Sequence, residues 1–171
     1  MRLLVAAGHS NIDPGAVAHG FTEAEIVADF RNMVAHYLRA AGHEVVTDGE
    51  GKENQPLAQA IKLIPGTDLA IEFHCNAAAN PSANGVESIS LFPLKSISQR
   101  ISAAVAAVLG SRLRGERGWI DQSQSARGKL GFVSAGGLVV ELFFITNLTE
   151  LQAYQAKKWL VAREVAEALI A

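Results

Sequence analysis

The chain has 171 residues and a formal net charge of −2, with 49% apolar and 19% charged residues. That length gives one domain whose core needs no staples. The near-neutral charge without a lysine- or arginine-rich run excludes a nucleic-acid footprint, the single cysteine, Cys75, excludes an intrachain disulfide, and no stretch approaches the ~18 apolar residues of a membrane span.

Leu3 to Ala7 is an unbroken apolar run ending at Gly8, the pattern of a central strand buried on both faces. This run is too short for a signal-peptide core, and His9 and Asp13 interrupt it at once. Synthesis in the cytoplasm without a signal peptide is therefore expected. A polar loop follows, with the turn Asp13-Pro14-Gly15. Thr22 and Glu25 form a capping box, and Ile26, Phe30, Val34, Tyr37 and Leu38 line one face of a helix that Gly42 ends. His43 to Thr47 reads as a second strand. Pro56 to Ile64 reads as a helix stopped by Pro65-Gly66, and Leu69 to Phe73 as a third buried strand running into His74.

Beyond a polar loop from Asn76 to Asn84, Val86 to Phe92 alternates as a strand. Ile97, Ile101, Val105, Val108 and Leu109 mark a helix begun by Ser96. Residues 110–130 read as a long loop with at most a short helix. Leu138 to Val140 is a buried strand ending in Glu141, and Asn147 with Glu150 caps a closing helical region to Ala171. Strands alternating with helices predict an α/β fold: a single three-layer domain over residues 1–171, with a central, mostly parallel twisted sheet flanked by helices.

In such sheets the sites gather beyond the carboxyl ends of the strands. His9, His74 and Glu141 each follow a strand there. Glu23 opens the helix after the Asp13-Pro14-Gly15 turn; because Glu25 fills the capping role, Glu23 is free to reach back toward His9. Two histidines and a carboxylate match the ligand set of a catalytic zinc site, which leaves one position for water. A second carboxylate must then carry protons, and Glu141 is the candidate. Cys75 follows His74 in a strand and so faces away from it, as a small buried hydrophobe. His19 reads as exposed, and His36 and His43 as structural. There is no G-x-S-x-G elbow, and the glycine-rich stretch 131–137 lacks the lysine of a phosphate-binding loop.

Several stretches resemble the zinc N-acetylmuramoyl-L-alanine amidases of the amidase-3 type. Gly8-His9-Ser10-Asn11-Ile12-Asp13-Pro14-Gly15-Ala16 with Gly20-Phe21-Thr22-Glu23 is similar to their opening motif, and Phe73-His74-Cys75-Asn76-Ala77 to their second histidine motif. Gly85-Val86-Glu87 resembles the next strand. Val140-Glu141-Leu142-Phe143-Phe144-Ile145-Thr146-Asn147, with Glu150 beyond, resembles the segment that holds the catalytic glutamate. Leu142 stands where the family often has glycine, and Gly136-Gly137 where it often has proline.

The resemblance implies Zn2+ held by His9, Glu23 and His74, Glu141 as the catalytic group, and peptidoglycan, both glycan strand and stem peptide, as substrate. A monomer is the expectation. Arg114, Arg117 and Arg127 are candidates for pairing with carboxylates of the stem peptide. A compact domain of this kind looks like a phage or prophage endolysin, released from the cytoplasm to the wall at lysis. Two other readings stay open: a zinc peptidase acting on another amide, and a non-catalytic wall-binding domain.

Overall fold

The structure, a computed structural model, describes residues 1–171. In chain order its elements are β1 (Arg2–Ala7), the short pair β2 (Val17–Ala18) and β3 (Phe21–Thr22), α1 (Glu23–Ala40), β4 (Glu44–Thr47), α2 (Leu57–Lys62), β5 (Leu69–Asn76), β6 (Glu87–Ser90), α3 (Lys95–Leu109), β7 (Trp119–Asp121), α4 (Gly131–Ser134), β8 (Leu138–Phe144) and α5 (Leu148–Ile170). Six strands make one sheet in the order β4-β1-β5-β8-β6-β7. The first four are parallel; β6 runs antiparallel to β8, and β7 parallel to β6. This is the expected three-layer α/β fold.

Side-chain alternation along the strands separates the two faces. Leu3, Val5, Ala7, Leu69, Ile71, Phe73, Cys75, Leu138, Val140 and Leu142 pack with α1, α3 and α5 in a core of 32 buried residues. Leu4, Ala6, Ala70, Val139 and Ile89 face the other way, into a core of 8 residues under α2 and α4. The caps read from the sequence form: Thr22 Oγ1 accepts from Glu25 N at 3.2 Å, and Asn147 Oδ1 accepts from Glu150 N at 3.1 Å.

Four expectations are corrected. The strand expected over Leu69–Phe73 continues through Asn76, and the one expected over Leu138–Val140 continues through Phe144, so His74 and Glu141 lie inside their strands. A polar residue on one face does not end a strand whose next residue, Cys75 or Leu142, still packs into the large core. Residues 110–130 contain the edge strand β7, held on β6 through Ser88↔Trp119 and Ile89↔Ile120; three residues are too few to show a period. Helix α3 begins at Lys95 with no side-chain cap, so Ser96 lies within its first turn.

Candidate metal centre

The chain turns sharply as it leaves β1. His9 has φ 68°, in the left-handed region that costs a non-glycine residue free energy. Glycines on either side make room. A Cβ at Gly8 would lie 2.2 Å from the His74 ring, and one at Gly15 would lie 2.6 Å from His9 Nε2 and 2.7 Å from Glu23 Oε2. The β2–β3 hairpin turns through His19 and Gly20, with φ 51° and 81°, and doubles the chain back so that the first turn of α1 arrives beside His9.

Three side chains converge there. His9 Nε2 lies 2.9 Å from Glu23 Oε1, and His74 Nδ1 lies 3.0 Å from the same oxygen. All three donor atoms fall within 4.8 Å of one another. The imidazole rings are 5.1 Å apart, edge to face. Although close to Glu23, the buried His9 Nε2 has no aligned hydrogen-bond partner. Glu23 is 1% exposed, and its backbone donors, Cys75 N and Ala16 N, each bond it at 3.0 Å.

Each histidine is held from behind by a second acid. Asp13 Oδ2 is 2.9 Å from His9 Nδ1, and Glu72 Oε2 is 3.0 Å from His74 Nε2. A carboxylate on the far nitrogen fixes tautomer and ring orientation in metal sites. The donor set, its convergence and these outer acids fit a divalent cation. Sequence reasoning missed Asp13 and Glu72 as participants. The signal was there: an acid inside an otherwise apolar strand, two residues before His74 and therefore on the same face.

Electrostatics agree. Burial pushes the Glu23 carboxyl up, but the two imidazoles outweigh it and hold the group well below the usual carboxylate range. Burial also works against a charged His74, yet Glu23 and Glu72 raise it to about 10. His9 is raised as well, burial being outweighed by Glu23 and Asp13. Without a cation, protons take the place that the acids prepare for positive charge.

Glu141 stands next to this cluster, paired with His74 across β5 and β8 and with Glu87 across β8 and β6. It is 1% exposed, and its Oε2 has no hydrogen-bond partner. Burial raises its pKa, against the pull of His74 and Arg127. Only Arg127 of the three candidate arginines reaches it, with Nη1 3.7 Å from Oε1. Arg114 is spent on Glu87, which also accepts from Asn76 Nδ2 at 3.1 Å. Arg117 lies in a separate depression with Ser96, Gln99 and Arg100. His19, exposed, sits 3.2 Å from the Thr146 carbonyl, and Cys75 is fully buried in the large core. A concavity of about 760 Å³, lined by Ser10, Asn11, Ile12 and Asn54 among others, contains none of the four candidate site residues.

Fold and site together define a class: an α/β domain with a candidate metal centre at the carboxyl edge of its sheet. The chain belongs to the Amidase_3 family, N-acetylmuramoyl-L-alanine amidase, whose model matches residues 3–171. A solved structure from Neisseria meningitidis, assigned as an N-acetylmuramoyl-L-alanine amidase, is 45% identical, with a TM-score of 0.91 over 98% of this chain and 93% of that one. The amidase AmiC2 of Nostoc punctiforme shares the fold at 16% identity, with a TM-score of 0.83 over 99% of this chain and 95% of its own. N-acetylmuramoyl-L-alanine amidase LytC of Bacillus subtilis is 26% identical over 155 residues, 86% of this chain and 30% of its own length. The chain spans about a third of the length of the curated relatives it matches, 38% and 30%. No helix is long and apolar enough to cross a membrane.

Proposed function

We propose that the chain hydrolyses the amide bond between N-acetylmuramic acid and L-alanine in peptidoglycan. In this reading His9 Nε2, Glu23 Oε1 and His74 Nδ1 hold Zn2+, and Glu141 carries the proton. One observation carries it: three donor atoms converge within 4.8 Å beside a buried carboxylate oxygen that has no partner, in a chain that matches the Amidase_3 model almost end to end.

Zn2+ held by two imidazoles and a carboxylate lowers the pKa of a water toward about 7 and polarises a carbonyl. The chain's own groups do the rest. Asp13 and Glu72 hold a proton on the far nitrogen of each imidazole and fix the ring's angle, so that the other nitrogen faces the metal position. Glu141, buried and with one oxygen free, accepts a proton from the attacking water and returns it to the L-alanine nitrogen as the C–N bond breaks. The products are the lactyl carboxylic acid of the muramoyl residue and a peptide with a free L-alanine amine. Arg127, 45% exposed and without a side-chain hydrogen bond, offers a cation for a stem-peptide carboxylate at the rim. An endolysin setting belongs to the same reading and predicts that the purified chain clears sacculi without an activator.

Glu141→Gln keeps shape and removes the proton carrier. Peptide release from purified sacculi, followed by mass spectrometry, should fall by about 10²- to 10⁴-fold, with bound zinc unchanged. Wild-type products should begin with L-alanine. Cleavage inside the peptide would instead mark a peptidase, absence of release a binding domain, and undiminished turnover by the variant would remove Glu141 from its role.

A further inference from the structure

Of the buried polar residues that the chemistry leaves unused, Arg31, Asp48 and Asn54 gather behind the His9 loop. Arg31 is fully buried in the middle of α1. Its guanidinium donates to Asp48 Oδ1 at 3.1 Å, Asn54 Oδ1 at 3.0 Å, Asn32 Oδ1 at 3.0 Å and the Glu53 carbonyl at 2.9 Å. So complete a set of acceptors makes Arg31 a rigid anchor. What it anchors is the carboxyl edge of β1. Asp48 accepts from Ala7 N. Asn54, 4% exposed, donates through Nδ2 to the carbonyls of both Ala7, at 3.2 Å, and Gly8, at 3.0 Å. On the far side of His9, Asn54 N donates to Asn11 Oδ1 at 2.6 Å, and Asn11 N donates to the Asn54 carbonyl at 3.2 Å.

Asn54 therefore grips the chain before and after His9, while His9 itself sits between the two grips at φ 68°. A non-glycine residue holds that conformation only where its surroundings over-determine it. We propose that Asn54 is a positioning residue for His9: anchored by Arg31, it clamps residues 7, 8 and 11 and so holds the His9 ring on the shared metal position. The inference rests on the metal reading above and adds a residue that touches neither metal nor substrate. It also accounts for an internal, fully paired arginine under a surface loop, which packing alone does not require.

The test is Zn2+ affinity, measured by competition against a chromophoric chelator, in Asn54→Ala and in the core variant Val161→Ala as a stability control. Val161 is fully buried on α5, in the large core. If Asn54 only stabilises the fold, both variants lower the unfolding midpoint and bind Zn2+ as wild type does. If it positions His9, Asn54→Ala weakens Zn2+ binding by about tenfold or more, the scale seen for groups that orient metal ligands, and Val161→Ala does not. Should Asn54→Ala fail to fold, Asn11→Ala on the exposed loop removes the acceptor for Asn54 N together with the Asn11 Nδ2 bond to the Lys52 carbonyl; a smaller loss of affinity, about threefold, supports the proposal and an unchanged value overturns it. Wild type that binds no Zn2+ would bring down the metal reading, and this inference with it. Wild type that binds Zn2+ no better than Asn54→Ala would bring down this inference alone.

Discussion

The same strands present two different surfaces. Toward α1, α3 and α5, strand β5 sends Leu69, Ile71, Phe73 and Cys75 into the large core. Toward the other side it sends Ala70, then Glu72, then His74; its neighbour β8 adds Glu141 in register and β6, beyond β8, adds Glu87. One face is continuous apolar packing. The other begins with a small apolar cluster and ends, at the carboxyl edge, in buried acids and imidazoles. The difference teaches how the labour is divided. Burial on the first face stabilises the sheet enough for the second to hold carboxylates out of water, where they are costly unless a positive charge meets them.

Truncation on the apolar face should give the largest effect on stability. Leu38, fully buried on α1 in the large core that covers this face, loses packing as Leu38→Ala; the expected cost is about 2–5 kcal/mol by denaturant unfolding, with Zn2+ affinity of the folded protein unchanged. Loss of zinc binding there would mean that the two faces are coupled more tightly than proposed. On the polar face the effects reverse. Glu72→Gln leaves packing intact but weakens the hold on His74 Nε2, and should lower Zn2+ affinity about 10- to 100-fold. An unchanged affinity would reduce Glu72 to a structural acid.

The smallest effect is a slope with pH. In zinc-free protein His74 is raised from 6.5 to about 10. Its protonation therefore supports the fold fully below about pH 6.5, and that support is lost as pH rises toward 10. Zn2+ competes for the same nitrogen, so its binding strengthens over the same interval and releases a proton. The gap in Tm between zinc-loaded and zinc-free protein should widen from pH 6.5 upward. A constant gap would show that protons and metal do not share a ligand.

Much of this division was legible in the sequence, for physical reasons that differ by face. The apolar runs at Leu3–Ala7 and Leu138–Val140 and the stripe through Ile26, Phe30 and Val34 are periodic, so strands and helices could be read from them. The candidate site residues could be picked out because His9, His74 and Glu141 interrupt such runs. Glu72 was legible only in part, as an acid in an apolar strand two residues before His74, and Asp13 was not, since a single acid in a loop carries no period and its partner is fixed only in the folded chain. Arg31, Asp48 and Asn54 come from three separate segments and meet only in the folded chain. Edge strand β7 is too short for any pattern. Leu142, where the resemblance expects glycine, points by alternation into the large core, opposite Glu141.

The central claim is that His9, Glu23 and His74 share one ion. Zinc content and X-ray absorption of the purified chain, beside His9→Ala, Glu23→Ala and His74→Ala, test it most directly. One zinc per chain, bound through two imidazole nitrogens and oxygen and lost in every variant, is the predicted result. Zinc absent from the wild type, or retained equally by all three variants, would contradict it.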